Sequence, residues 1–166
     1  MISKNIIRLC SVLESYSGLL YHATQYTKAL DILLDHKIKT GSEGRISFSR
    51  TASFWFMPSE LDVRIILEGS KLSQNYRLDP YSDPSLQIVP YTKAHNLFEY
   101  EMVSYKPILN LERYLVGVEL SHFLNNKDAL IMEEMLRNEG YRASLYLRDK
   151  LFRQVNKTYY DWRKSL

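Results

Sequence analysis

The chain has 166 residues, 45% of them hydrophobic and 25% charged, with a formal net charge of +3. This composition is ordinary for one soluble globular domain, and no apolar run approaches the roughly 20 residues of a membrane-spanning helix. A single cysteine, Cys10, excludes an internal disulfide, and no cysteine–histidine cluster has metal-ligand spacing, so we expect no metal site. The N-terminus lacks the pattern of a signal peptide, so we expect a cytoplasmic protein.

Apolar spacing predicts the elements of the first half of the chain. In chain order they are a helix over 3–16, a strand over 19–24, a helix over 27–36, strands over 45–50 and 62–68, and a short helix over 70–74. Ser3 and Thr27 are residue types that cap helix N-termini, and Gly18 is typical of the end of the first helix.

The second half is less regular at its start. Residues 76–97 show no clear period, and their prolines favour turns. A structureless segment of that length is uncommon in a compact domain and is often functional. The remaining elements are strands over 98–103 and 115–120, a helix that starts after Asn126 and runs to about 138, and a last helix over 143–157, whose apolar residues are four apart. Together they predict a single α+β domain over 1–166 with a basic C-terminal helix at about 143–166.

The strand over 98–103 carries two carboxylates. Glu99 and Glu101 are two residues apart, so they share one face of the strand, while their apolar neighbours face a core. Like charges this close repel each other and shift each other's titration. A protein accepts that cost where carboxylates perform chemistry or meet a cation. The alternative, an exposed edge strand with a polar face, stays open.

Two further groups of polar side chains lie on predicted strands. His22 lies near the end of the first strand, just before a helix. Ser47 and Ser49 share a face of the next strand, and Arg50 follows them. A strand-end histidine, a pair of strand serines and a following arginine each occur for structural reasons alone. Their order and spacing therefore carry the information.

That order resembles the ADP-ribosyltransferase superfamily. The stretch His22-Ala23-Thr24 and the helix after it resemble the family's first NAD-binding strand and helix. Ser47-Phe48-Ser49 resembles the family's Ser-Thr-Ser strand, and Glu99-Tyr100-Glu101 resembles its Glu/Gln-x-Glu motif. The glutamate strand and the strand after it also resemble those of DarT-type DNA-modifying toxins. Similar short proteins, among them ADP-ribosylating anti-CRISPR proteins, are encoded by phages.

The sequence mixes two branches of this superfamily. His22 is the residue of the diphtheria-toxin-like branch, whereas the serine strand and the paired glutamates are those of the arginine-modifying branch. Phe48 stands where the serine strand usually has threonine. The mixture leaves the target of the reaction more open than the NAD chemistry.

The resemblance implies a mono-ADP-ribosyltransferase that takes NAD as its substrate and releases nicotinamide. The leaving group is neutral, so the site needs a carboxylate that stabilises the developing ribosyl cation rather than a general acid. Glu101 is expected in that role, and Glu99 is expected to bind or deprotonate the acceptor. The residues expected to contact NAD are His22, Ala23, Thr24, Ser47, Ser49, Arg50 at the pyrophosphate, and Tyr76 or Tyr81 stacked on nicotinamide.

The resemblance also implies an α+β fold with two small packed mixed sheets and flanking helices. The expected acceptor is a host protein first, because paired glutamates suit an arginine side chain, and DNA or RNA second. The implied setting is a phage effector or toxin with an anti-defence role in the cytoplasm. Two alternatives stay open, namely a non-catalytic or nucleic-acid-binding module and an NAD glycohydrolase. Binding that weakens steeply with salt, without nicotinamide release, would mark the first alternative.

Overall fold

The computed structural model describes residues 18–50, 61–80 and 101–156, and at 80 and 101–103 it describes the backbone. The elements in these ranges are, in chain order, β1 (Leu19–Thr24), α1 (Tyr26–Asp35), β2 (Ile46–Ser49), β3 (Val63–Glu68), α2 (Gly69–Asn75), β4 (Asp79–Pro80), β5 (Glu101–Ser104), a 3₁₀ turn (Leu111–Arg113), β6 (Leu115–Leu120), α3 (Asn126–Asn138), β7 (Ala143–Leu147) and β8 (Lys150–Val155). The predicted helix over 3–16, most of the irregular segment over 76–97 and the residues after 156 lie outside the described residues.

All of the described strands belong to one mixed sheet, in the order β4-β5-β2-β1-β3-β6-β7-β8. Neighbouring strands are antiparallel except β6 and β7, which are parallel and are connected through α3. The α+β class predicted from the sequence is therefore confirmed. Because hydrogen bonding is continuous from β4 to β8, the finer expectation of two packed sheets is not confirmed.

Several elements begin and end where the sequence predicts. β1 and β6 have the predicted bounds of 19–24 and 115–120, and α3 spans 126–138 where the sequence predicts a helix from after Asn126 to about 138. At the start of α3 the Asn125 side chain accepts a hydrogen bond from the Asp128 amide at 3.0 Å. The Asp128 carboxylate in turn accepts one from the Asn125 amide at 2.9 Å. This reciprocal capping box satisfies amides that helix geometry leaves unpaired, so α3 starts there.

The predicted last helix over 143–157 is wrong. β7 and β8 form an antiparallel hairpin in its place. A spacing of four is a multiple of the strand period of two, so apolar residues four apart also share one face of a strand. Arg148 and Asp149 have φ angles of 52° and 66°, the left-handed conformation that a two-residue hairpin turn requires. The basic C-terminal helix is therefore replaced by strands as far as residue 155.

The N-terminus of α1 is fixed by a distant carboxylate rather than by Thr27. The N-cap is Gln25, whose side chain makes no capping hydrogen bond. The Tyr26 amide donates to the Asp62 carboxylate at 2.7 Å. A carboxylate at this position is favoured by the unpaired amides and by the helix dipole. The N-cap of α1 is therefore Gln25, two residues before the predicted cap Thr27.

The three helices pack on one face of the sheet, where the main hydrophobic core lies. Its fully buried side chains include Leu20, Leu33, Phe48, Ile65, Leu72, Met132 and Leu145. The opposite face carries a smaller cluster of Tyr21, Ile66 and Tyr146. The buried ion pair of Arg64 and Glu119, 2.8 Å apart, lies on that side, with the guanidinium 5.4 Å from the Tyr21 ring centroid. No described helix is long and apolar enough to cross a membrane.

Candidate active site

β1 and β2 are paired at one point and then separate. Their register joins Tyr21 to Ser49, whereas β1 is paired with β3 at six positions. Beyond that point the His22 imidazole reaches across, and its Nδ1 donates to the Ser47 carbonyl oxygen at 2.9 Å. The His22 side chain thus provides the Ser47 carbonyl with a hydrogen-bond partner that β1 does not supply. A partly buried backbone carbonyl needs such a partner.

The surroundings of His22 keep its imidazole neutral near pH 7. Burial lowers the pKa of His22, and the hydrogen bond to the Ser47 carbonyl opposes this shift in part. Because a carbonyl oxygen can only accept, Nδ1 carries the proton of the neutral ring and Nε2 presents a lone pair. The Phe48 ring lies 5.8 Å from the imidazole, between centroids, and packs against it at a tilt of 60°. His22 therefore keeps Nε2 as a hydrogen-bond acceptor.

A cavity of about 570 Å³ opens where the two strands separate. Its walls are the C-terminal end of β1, one face of α1, residues 37–41 and the start of β2. Pockets that bind small molecules and cofactors have volumes of roughly 300–1,000 Å³. The cavity is therefore large enough for a sizeable part of a dinucleotide.

Charged side chains of both signs line this cavity. The described lining contains more cations than anions: Lys28, Lys37, Lys39 and Arg45 against Asp31 and Asp35. Lys39 lies 3.8 Å from the Asp35 carboxylate, and Arg45 lies 2.6 Å from the Glu43 carboxylate. Among the described residues, no cluster of histidine, cysteine and acidic side chains could hold a metal ion. The excess of positive charge favours an anionic ligand.

Four of the residues expected to contact NAD lie together on the cavity wall: His22, Ala23, Thr24 and Ser47. They come from the end of β1 and the start of β2, so the separation of the strands brings them to one place. Ser49 and Arg50 lie at the other end of β2, where β1 and β2 are paired, and neither belongs to the described lining. Arg45, two residues before Ser47, does line the cavity.

Tyr76 lies elsewhere in the fold. Its hydroxyl accepts a hydrogen bond from the Leu109 amide at 2.8 Å. Its ring packs edge-on against Tyr114, with centroids 6.0 Å apart and an interplanar angle of 77°. Tyr76 is not part of the described cavity lining, so its expected stacking on nicotinamide finds no support. Tyr81 and Glu99 lie outside the described residues.

The backbone of Glu101 lies in β5, directly across from Ser49 of β2. Ser47, which lines the cavity, is two residues away along β2, a distance of about 7 Å at the rise of a β-strand. The sheet order places β5, β2 and β1 side by side. The three strands that carry the predicted site are therefore neighbours, although they are far apart in sequence.

The charged part of the cavity was not predicted from the sequence. Lys37 belongs to the connection between α1 and β2, where no period indicates what a side chain will face. Arg45 begins the predicted strand over 45–50 and by alternation shares the face of Ser47, but it was not assigned to the site. A weak signal existed on α1, where Lys28, Asp31 and Asp35 recur at helical spacing on the face that lines the cavity. A polar helix face predicts solvent as readily as a cavity, so the pattern alone could not decide.

The fold is similar to that of a solved NAD+ complex. The structure of DarT from Thermus sp. 2.9 in complex with NAD+ aligns with a TM-score of 0.53 over 80% of this chain and 96% of that chain, at 8% sequence identity. No protein-family model matches the sequence, and no curated protein matches it either. The structural comparison therefore shows a similar fold.

Proposed function

We propose that this protein is an NAD-dependent ADP-ribosyltransferase whose active site lies where β1 and β2 separate. One observation carries the proposal: the cavity at this point gathers His22, Ala23, Thr24 and Ser47, the residues that the motifs assign to NAD. Similarity of the fold to NAD+-bound DarT supports the same ligand.

His22 and Ala23 hold the nicotinamide ribose in this proposal. The Nδ1 proton of His22 is committed to the Ser47 carbonyl, so Nε2 accepts a hydrogen bond from a ribose hydroxyl. A neutral imidazole suits this role because NAD already carries a positive charge on its nicotinamide ring. The backbone of Ala23 binds the carboxamide at the end of β1.

The reaction breaks the bond between ribose C1′ and the nicotinamide nitrogen. The electron pair leaves with the nitrogen, so the nicotinamide departs neutral and positive charge develops on the ribosyl group. Glu101 supplies the carboxylate that stabilises this charge. A lone pair of the acceptor then forms the new bond to C1′, and the acceptor proton passes to Glu99 as general base.

A protein side chain is the preferred acceptor, because a second carboxylate beside the first suits a guanidinium group. Nucleic acid is the second choice, given the resemblance of the glutamate strand to DarT-type toxins. Water in place of the acceptor would make the same site an NAD glycohydrolase. These outcomes share the first chemical step and differ only in what receives the ADP-ribose.

The test is to incubate the full chain with labelled NAD and a cell lysate, measuring nicotinamide release and the label in protein and nucleic acid. Protease-sensitive label supports a protein acceptor, and nuclease-sensitive label supports nucleic acid. Release without transfer identifies a glycohydrolase. If the chain neither binds NAD by calorimetry nor releases nicotinamide, the proposal is overturned and a non-catalytic module remains.

Two glutamate variants separate the chemical steps. Glu101→Gln removes the stabilising charge, so nicotinamide release and transfer should both fall by about 10²-fold or more while NAD binding survives. Glu99→Gln should impair transfer and spare hydrolysis, because water needs less orientation than a side chain. Glu134→Gln, at an exposed position of α3, is the matched control and should change neither activity. Near-normal nicotinamide release by Glu101→Gln would refute the role given to Glu101.

A further inference from the structure

Lys37 is a half-buried cation on the cavity wall. Within the described part of the chain its ammonium group has no carboxylate partner, whereas the neighbouring cations Lys39 and Arg45 are paired with Asp35 and Glu43. An ammonium group that is partly removed from water without a counter-ion is destabilised. An anionic ligand group in the cavity would relieve that cost.

The end of the cavity at the N-terminus of α1, away from Lys37, is unfavourable for an anion. Helix N-termini commonly bind phosphate through their free amides, and the N-terminus of α1 adjoins the cavity at Gln25. There the Asp62 carboxylate already accepts the hydrogen bond of the Tyr26 amide at 2.7 Å. A phosphate at that end would meet a carboxylate of like charge, so the anionic part of a ligand is favoured at the Lys37 end.

Backbone contacts hold the Lys37 end in place. Ile38 exchanges two backbone hydrogen bonds with Ile108, each 2.9 Å long. The Gly41 amide donates to the Arg45 carbonyl oxygen at 3.0 Å, which closes the loop between Lys37 and β2. Cations on a fixed frame lose less conformational entropy when they bind an anion together.

We infer that Lys37 and Arg45 form an anion subsite that binds the diphosphate group of a nucleotide. Lys37 supplies the unpaired charge, and Arg45 supplies guanidinium donors whose geometry matches phosphate oxygens. Arg45 is two residues, or about 7 Å along the chain, from Ser47, so a diphosphate held there leaves room for one ribose beside His22. The assignment to NAD rests on the proposed function, whereas the subsite itself can be tested without NAD.

The experiment measures the binding of ADP and ADP-ribose to the full chain by calorimetry. Lys37→Gln should weaken both about tenfold or more, because charge-assisted hydrogen bonds to phosphate are lost. Lys37→Arg keeps the charge and should keep most of the affinity. Lys71→Gln is the control, since Lys71 is an exposed lysine outside the described cavity lining and lies 3.4 Å from Glu68. Thermal unfolding checks that each variant is folded.

The outcomes separate the subsite from the enzymatic proposal. Wild-type affinity of folded Lys37→Gln for both probes would overturn the subsite, whatever the protein does with NAD. A wild type that binds neither probe would overturn it as well. If ADP binding depends on Lys37 but NAD yields no nicotinamide, the subsite stands and the proposed function fails.

Discussion

Two histidines flank α1 and have opposite electrostatic environments. His22 precedes the helix, at the cavity, and donates one hydrogen bond to a backbone carbonyl. His36 is the C-cap of the same helix, in the left-handed conformation with φ of 53°. Its Nδ1 lies 2.9 Å from the Glu112 carboxylate, and its Nε2 lies 3.0 Å from the Glu139 carboxylate.

The hydrogen-bond partners and burial of each imidazole ring determine its charge and its role. Burial lowers the pKa of His22. Burial also acts to lower the pKa of His36, but hydrogen bonds and charge from Glu139 and Glu112 outweigh it and raise that pKa. Both nitrogens of His36 are occupied within the protein, where they join α1 to the 3₁₀ turn and to the end of α3. A half-satisfied histidine is suited to a ligand, and a fully satisfied one is suited to holding elements together.

The largest expected difference between His22 and His36 is in their effect on ligand binding. His22→Ala removes the acceptor for a ribose hydroxyl, so NAD affinity should fall about tenfold or more while the fold remains. His122→Ala is the matched control, because His122 is exposed and lies 3.7 Å from the Asp149 carboxylate. Calorimetry gives both affinities. Unchanged NAD affinity in a folded His22 variant would make His22 a structural residue like His36.

A smaller effect is expected from the region around His36. The fully buried Tyr141 stacks on His36, with ring centroids 4.7 Å apart, and its hydroxyl donates to the Leu33 carbonyl oxygen at 2.6 Å. Tyr141→Phe removes this donor, so the free energy of unfolding should fall by about 1–2 kcal/mol in denaturant titrations. NAD affinity should not change. Weaker NAD binding at unchanged stability would contradict the separation of the two regions.

The smallest effect is in the pH dependence of stability. His36 has a raised pKa, so its contribution is complete below about pH 6.5 and is lost as the pH rises through the folded pKa. His22 has a lowered pKa, so its contribution is present above about pH 6.5 and is lost as the pH falls through the folded pKa.

His36→Gln should therefore remove the part of the stability loss that wild type shows as the pH rises. His22→Gln should remove the part of the stability loss that wild type shows as the pH falls. The change for His36→Gln should be on the order of 1 kcal/mol or less, since partly exposed ion pairs contribute little. Thermal midpoints measured between pH 5 and 9 would check both. Identical pH profiles for wild type and His36→Gln would show that the two carboxylates do not hold His36 charged.

Elements with a local pattern could be predicted from the sequence alone. β1 and β6 are runs of apolar and polar residues at strand spacing, and α3 has apolar residues at helical spacing behind its Asn125–Asp128 capping box. Burial along one element sets such a pattern, so it can be found without knowing the neighbours. His22 and Ser47 also lie on predicted strands, but their assignment to NAD came from the resemblance of those strands to ADP-ribosyltransferase motifs.

Features that depend on contacts with neighbouring elements could not be predicted from the sequence and are set by the tertiary fold. The residues over 143–155 fit both a helix and a hairpin, because a spacing of four suits both periods, and pairing with β6 selects strands. The tertiary structure also sets the α1 N-terminus through Asp62, brings Lys37 and Arg45 to the cavity, and places Tyr76 against Tyr114. These contacts join residues through sheet register and packing, which a one-dimensional period of hydrophobicity does not encode.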